Sequence, residues 1–128
     1  MEFKGQLTVD VQFVTKGWPQ ALNPVIADDV YGICREALAN AFRHAKATRV
    51  DVTIEYTSNT LGVQVVDDGR GVGLDVIQSG LPGHWGIRGM RERADRIHAA
   101  LEITSHPNAG TRVNVVVPGK VIFRSHAS

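Results

Sequence analysis

Three side chains with ligand chemistry fall four residues apart in one stretch, Arg35-Glu36-Ala37-Leu38-Ala39-Asn40-Ala41-Phe42-Arg43-His44-Ala45. On a helix, Glu36, Asn40 and His44 would line one edge, with Arg43 beside them. A carboxylate, an amide, an imidazole and a guanidinium so placed can hold a metal and a polyanion; a plain solvated helix edge fits the same spacing. Asp67 is the second candidate. It shares strand parity with Leu61, Val63 and Val65, so its carboxylate falls on the apolar face, at the mouth of the core. Burying an unpaired carboxylate is costly, so Asp67 requires a dedicated partner, whether a backbone amide or a ligand. Glycines follow at once in Asp67-Asp68-Gly69-Arg70-Gly71-Val72-Gly73. A plain tight turn rarely needs three of them, whereas close backbone approach to a ligand does. Gly86-Ile87-Arg88-Gly89-Met90 opens another helix with Arg88 and Arg91 in its first turns, and a helix start behind a glycine-rich loop is an anion site. Arg93 and Arg96, interleaved with Glu92 and Asp95, read as a solvated face. Thr111 shares the parity of Val113, Val115 and Val117, so its hydroxyl can reach the same buried pocket as Asp67.

Elements of ordinary kind position these groups. Leu7 to Phe13 alternates as a half-buried strand, broken by Lys16-Gly17-Trp18-Pro19. Asn23-Pro24 reads as an N-cap with proline at the first helical position, and Asp28 and Asp29 occupy the early turns. The helix then runs to about Ala45, with Val30, Ile33 or Cys34, Ala37, Ala41 and Ala45 as its core stripe. Arg49 to Tyr56 and Leu61 to Asp67 form a hairpin about a Ser58-Asn59 turn. Leu74 to Ser79 suits a short helical turn, and Gly80 to Gly83 a flexible, proline-interrupted segment. The helix from Gly86 buries Ile87, Met90, Ala94 and Ile97. Leu101 to Thr104 is a strand, His106 to Gly110 a turn, and Thr111 to Val117 the last long strand. Val121-Ile122-Phe123 can add a short one.

The chain's 128 residues suit a single domain, and its 43% hydrophobic and 21% charged residues argue against disorder. A net charge of +1 gives no broad basic field for nucleic acid. The one cysteine, Cys34, lies in the helix's apolar pattern and reads as a packing residue. No apolar run approaches the ~18 residues that span a bilayer, and no signal peptide opens the chain.

Taken in order, these motifs resemble the ATP-binding catalytic domain of bacterial histidine kinases, in the superfamily shared with DNA gyrase, the ninety-kilodalton heat-shock chaperone and the mismatch-repair ATPases. Arg35 to Ala45 is similar to the asparagine box, and Asp67 to Gly71 to the first glycine box. Gly83-His84-Trp85-Gly86-Ile87-Arg88-Gly89-Met90-Arg91-Glu92-Arg93-Ala94 is similar to the second glycine box with a short lid, and Gly110-Thr111-Arg112-Val113 to the last box. The Gly-Met-Arg-Glu-Arg-Ala run further resembles the nitrate-sensing and membrane-fluidity-sensing subfamily. The His-Trp-Gly spelling and Val-Pro-Gly ending resemble sensors with periplasmic propeller repeats.

The resemblance implies an α/β (α+β) two-layer sandwich of Bergerat type, with a mixed, mainly antiparallel sheet and helices on one face. It implies one ATP-binding domain over residues 1–128, with a core near 7–117 and 118–128 as a tail or short added strand. ATP and Mg²⁺ are the implied cofactors. Asp67 would then recognise the adenine amino group and Thr111 support it, while Gly69 and Gly71 admit the backbone against the nucleotide. Asn40 would ligate Mg²⁺, Arg43 and His44 would lie near the phosphates, and Gly86, Ile87, Arg88, Gly89 and Met90 would cover them. Glu36, a general base in the hydrolytic relatives, is assigned here to orienting Asn40 or a metal-bound water, with catalysis a lesser option.

The implied reaction is γ-phosphoryl transfer to a histidine on a separate dimerisation hairpin, followed by relay to a response regulator. None of the five histidines lies in two long coiled-coil-like helices, so the chain reads as an excised catalytic domain; the resemblance implies a monomeric, cytoplasmic domain of a membrane-bound sensor. No nucleic acid partner and no direct membrane contact is expected. Two other readings share the motifs: an anti-sigma-factor serine kinase, and a module that binds ATP without turnover. Trp85 reads as packing in the lid region, with stacking on the nucleotide the alternative.

Overall fold

In the computed structural model, which describes residues 9–43, 46–71 and 86–119, the alternating stretches become one five-stranded sheet and the 3.6-residue stripes become two helices. The elements run β1 (Asp10–Lys16), α1 (Pro24–Arg43), β2 (Arg49–Tyr56), β3 (Thr60–Asp67), α2 (Ile87–Arg96), β4 (Ala100–Ser105) and β5 (Thr111–Pro118). Strand order is β1-β2-β3-β5-β4; β1 and β2 pair parallel and every other pair is antiparallel. The expected mixed, mainly antiparallel sheet is the one observed. Expectations placed on Leu7, Thr8, His44, Ala45, the Leu74–Ser79 turn, Gly80 to Gly83, His84, Trp85 and Val121 to Phe123 lie outside the described residues.

Parity sets the two faces. Val50 and Val52, Leu61, Val63 and Val65, and Val113, Val115 and Val117 are buried beneath the helices. Their neighbours Thr53, Glu55, Gln64 and Asn114 line the opposite, polar face. Onto the apolar face α1 brings Ile26, Val30, Ile33, Ala37 and Ala41, and α2 brings Ile87, Met90 and Ala94, with Ile97 just past its end. At about 25 cal/mol per Å² of apolar surface removed from water, this one cluster is the main source of cohesion.

Asn23 caps α1 as the sequence indicates: its side-chain oxygen accepts the Val25 N–H at 2.9 Å, and its carbonyl accepts the Ala27 N–H at 2.9 Å. The first strand is displaced from expectation. It was expected over Leu7 to Phe13 but runs Asp10–Lys16, because parallel pairing with β2, from Asp10↔Arg49 to Lys16↔Glu55, fixes its ends. Local alternation carries no information about that partner. The break begins at Gly17, whose φ of 82° and close approach to the Tyr56 carbonyl oxygen exclude a side chain.

A second correction concerns the arginines of α2. Arg93 and Arg96 do not form a merely solvated face. Arg96 holds Asp29 of α1 with two bonds, Nη2 to Oδ1 at 2.6 Å and Nε to Oδ2 at 3.1 Å, and Arg93 Nη1 adds a third at 3.3 Å. Asp29 is only 2% exposed, so it does not act as a solvated first-turn acid. Gly32, one turn on, makes room for this contact: a Cβ there would lie 2.6 Å from the Arg93 guanidinium carbon. The glycine costs about 1 kcal/mol of helix propensity relative to alanine, and the groove it opens is the evident use.

Candidate functional site

One face of α1 carries the site's first wall. Asp29, Glu36 and Asn40 recur at seven and four residues on one helical face, from which Asp29 meets Arg93 and Arg96 of α2 and Glu36 meets Gly86 at its start. Asn40 is buried to 6% exposure, a position where an amide requires a defined environment. Glu36 lies against Gly86, where a Cβ would collide with its carboxyl carbon. Gly86 also sits at φ 58°, so glycine serves there twice, for the left-handed turn into α2 and for contact with Glu36. Arg43, on the last turn of α1, is exposed.

The second wall is the end of the sheet. Asp67, 7% exposed, faces inward where β3 stops, as its parity requires. Its Oδ1 accepts the Gly69 N–H at 2.8 Å. Burial pushes its carboxyl above the ordinary value of 3.8, against the Gly69 and Thr111 amides, which lower it. Thr111 lies directly across from Asp67 in the β3–β5 register, and Ser105 directly across from Thr111 in β4–β5. The three polar side chains therefore form a row across three strands, bordering a cavity of about 250 Å³. Ser105 Oγ meets Thr111 Oγ1 at 2.8 Å and the Gly110 carbonyl at 3.0 Å.

The glycines hold this corner together by backbone contact. Gly110, at φ 78°, packs on the Asp67 carbonyl, and Gly71, at φ 67°, on the His106 carbonyl. The Asn108 N–H donates to the Arg70 carbonyl between them. Asp68 turns the other way. Its carboxylate accepts the Thr48 N–H at 2.8 Å, the Thr48 hydroxyl at 2.6 Å and the Arg49 N–H at 2.9 Å, tying the chain after α1 to the first glycine run. Those bonds, the Thr48 hydroxyl foremost, hold its carboxyl below the ordinary range.

The start of α2 contributes amides. Ile87, Arg88 and Gly89 occupy its first turn, where N–H groups lack intrahelical partners. Met90 is different: its N–H donates to the Gly86 carbonyl at 3.0 Å and its side chain is in the core. Met90, expected over the phosphates, is thus a packing residue. Ile87, also buried, has only its amide to offer. Arg88 is exposed, with Glu92 one turn on at 3.8 Å.

The structure brings Glu36 to Gly86, and Asp67 to Gly69, Gly110 and Thr111; His44 lies outside the described residues. Sequence reasoning missed Ser105, Asp29 and the clamp made by Asp68. Only Ser105 had a signal: Leu101, Ile103 and Ser105 share parity, which places a hydroxyl at the inward end of β4 as Thr111 is on β5. Elsewhere, a cavity of about 340 Å³ opens between α1 and β1–β2, walled by Phe13, Tyr31, Cys34, Leu38, Val52 and Ile54. Its walls are nearly all apolar and suit no phosphate. Burial pushes the Cys34 thiol to about 11, keeping it a neutral packing group.

With this geometry in place, comparison with known proteins is specific. Residues 26–121 match the model of the histidine kinase-, DNA gyrase B- and HSP90-like ATPases. The chain belongs to that family. It is 31% identical over 117 residues to the sensor histidine kinase LiaS of Bacillus subtilis (strain 168), covering 91% of this chain and 31% of the relative. It is 38% identical over 95 residues to the sensor protein VraS of Staphylococcus saprophyticus, covering 73% and 26%. Among solved structures, the histidine kinase domain of the Erythrobacter litoralis EL346 blue-light activated histidine kinase superposes with a TM-score of 0.68 at 26% identity, covering 86% of this chain and 55% of that one. The catalytic domain of histidine kinase ThkA, at 15% identity and TM-score 0.67, covering 87% and 78%, supports the fold alone. The fold and motifs are those of a histidine-kinase ATP-binding catalytic domain. The chain spans under a third of the length of these two curated relatives.

Proposed function

We propose that this domain binds Mg-ATP between α1 and the glycine segments and delivers the γ-phosphoryl group to a histidine on a separate dimerisation hairpin. The observation that carries the reading is the buried Asp67 carboxylate, set opposite Thr111 at the open end of an apolar sheet face. A carboxylate there accepts from the adenine amino group while the ring meets apolar walls, which offsets the cost of burial. Gly69 and Gly71 admit the nucleotide's approach, and the Ile87, Arg88 and Gly89 amides, with Arg43, Arg88 and His44, meet its phosphates.

Asn40 supplies the metal ligand. Its amide oxygen is the hard donor that Mg²⁺ takes, and magnesium keeps most of its shell for water and phosphate oxygens. When bound, Mg²⁺ neutralises charge on the phosphates. Glu36, held against Gly86, orients Asn40 or a metal-bound water. In the transfer, an imidazole nitrogen of the acceptor bonds to the γ-phosphorus, the bond to the β–γ bridging oxygen breaks, ADP leaves, and the imidazole proton passes to a base on the acceptor domain. Such transfer needs positioning and charge neutralisation more than covalent help from the protein. The phosphoryl group then moves on to a response regulator, with the domain on the cytoplasmic side of a sensor.

Calorimetry with a non-hydrolysable ATP analogue tests the binding reading. The wild-type domain should bind more tightly with Mg²⁺ than with chelator, and Asn40→Ala should lose most of that difference while still showing a cooperative unfolding transition. An undiminished magnesium effect in Asn40→Ala removes Asn40 from the metal.

A further inference from the structure

We propose that the apolar groove between α1 and β1–β2 is the docking site of this chain's own C-terminal segment, with Val121, Ile122 and Phe123 as the side chains that fill it. The groove lies apart from the nucleotide site, and its occupant does not depend on what that site binds.

The groove arises because α1 packs chiefly over β3 and α2, which leaves the helix-side face of β1 and β2 only partly covered. Phe13 lies directly across from buried Val52, so its ring is on that face, yet it is 66% exposed. Tyr31 of α1 is 61% exposed on the other side of the groove. Leu22, Leu38, Ile54 and Tyr56 pack against the core but are only partly buried. Single exposed apolar residues are ordinary; an apolar concavity of about 340 Å³ with these walls calls for a partner.

The place where the chain leaves the sheet identifies that partner. Tyr56 and Leu61 form the last pair of the β2–β3 ladder, and both line the groove. Leu61 pairs on its other side with Val117 of β5, and Thr60 with Pro118. The Gly119 N–H then donates to the Asn59 carbonyl, which pins the exit beside the hairpin turn. Val121-Ile122-Phe123 follows after one lysine and is the one run of large apolar side chains in residues 120–128. Strand spacing puts this exit ~5 Å from the Leu61 wall, and at ~3.3 Å per extended residue the three side chains reach ~7–13 Å beyond it. Residues 1–8 are worse placed. They enter β1 at Asp10, across from Arg49, at the end of the sheet away from Tyr56.

Cys34 lines the groove and is the chain's one cysteine, so its rate of labelling by N-ethylmaleimide reports whether the groove is covered. Removing residues 120–128 should raise that rate about tenfold, at a temperature where circular dichroism shows the domain folded. The full chain carrying Ile122→Asp and Phe123→Asp should show the same rise, and it reads the contact should the shortened chain not fold. Val121→Cys, Ile122→Cys and Phe123→Cys, each alone in a glutathione redox buffer, supply the second readout. At least one should close a disulfide to Cys34 within a monomer, which needs Cα atoms within ~7 Å. Labelling unchanged in the folded variants, or no intramolecular disulfide from any of the three positions, overturns the proposal. Disulfides formed only between chains assign the groove to a second copy and overturn it too. So does protection of Cys34 that appears only when the parent kinase's hairpin is added.

Discussion

Asp67 and Asp68 are adjacent carboxylates with opposite environments, and the difference is one of strand parity. Asp67 faces the core, where burial raises its pKa; Asp68 faces out, where the Thr48 hydroxyl and two amides lower its own. Under the proposed function their roles separate accordingly, base recognition for the first, while the second anchors the loop. Asp67→Asn replaces an acceptor-only group with one that also presents N–H donors, at nearly equal volume. ATP affinity should fall about 100-fold, the range for unpaired groups in a buried site, while the thermal midpoint moves by only a few degrees. The pH dependence has a definite sign. A protonated Asp67 loses its acceptor-only character, and its pKa lies above the ordinary 3.8, so ATP affinity should weaken on acidification before an ordinary aspartate would titrate. An Asp67→Asn affinity equal to wild type, or a binding curve flat down to ordinary aspartate values, contradicts this.

At the scale of elements, α1 meets α2 through two contacts on one helical face: the Asp29 clamp on Arg93 and Arg96, and two turns later Glu36 against Gly86. Together the two contacts hold the start and the end of α2 against α1. Arg96 is largely exposed, so the ion pair is discounted toward its surface value, and Asp29→Ala should cost about 1–2 kcal/mol in denaturant unfolding. The Arg96 hydrogen bond and the nearby guanidinium charges hold Asp29 below 3.8 when folded. Its contribution is then complete above the unfolded value and is lost as pH falls through the lower folded one. The acid limb of the stability–pH curve should flatten in Asp29→Ala; an unchanged limb would mean the clamp does not stabilise the fold. Such a contact was beyond sequence reading, because partners 64 and 67 residues apart leave no periodic trace. The β2–β3 hairpin, the α1 cap and the buried stripe of α2 were legible because their determinants are local: alternation, Asn23-Pro24, and the 3.6-residue period. The parallel partner that moved β1 three residues along was not. Of the candidate site, parity placed Asp67 and Thr111 correctly, and the same rule applied to Leu101-Ile103-Ser105 would have found Ser105.

For the whole molecule, one sheet face carries the core and its end carries the polar row, so the domain offers a pocket with one side left for a ligand. No helix among the described residues is long and apolar enough to cross a membrane. Under the proposed function the acceptor histidine is carried outside this domain. The direct measurement is transfer of label from γ-labelled Mg-ATP to the phosphoacceptor hairpin of the parent kinase, mixed with this domain. Label should appear on the hairpin histidine, require this domain, and be lost with Asp67→Asn. ATP binding with no label on that histidine would contradict the account.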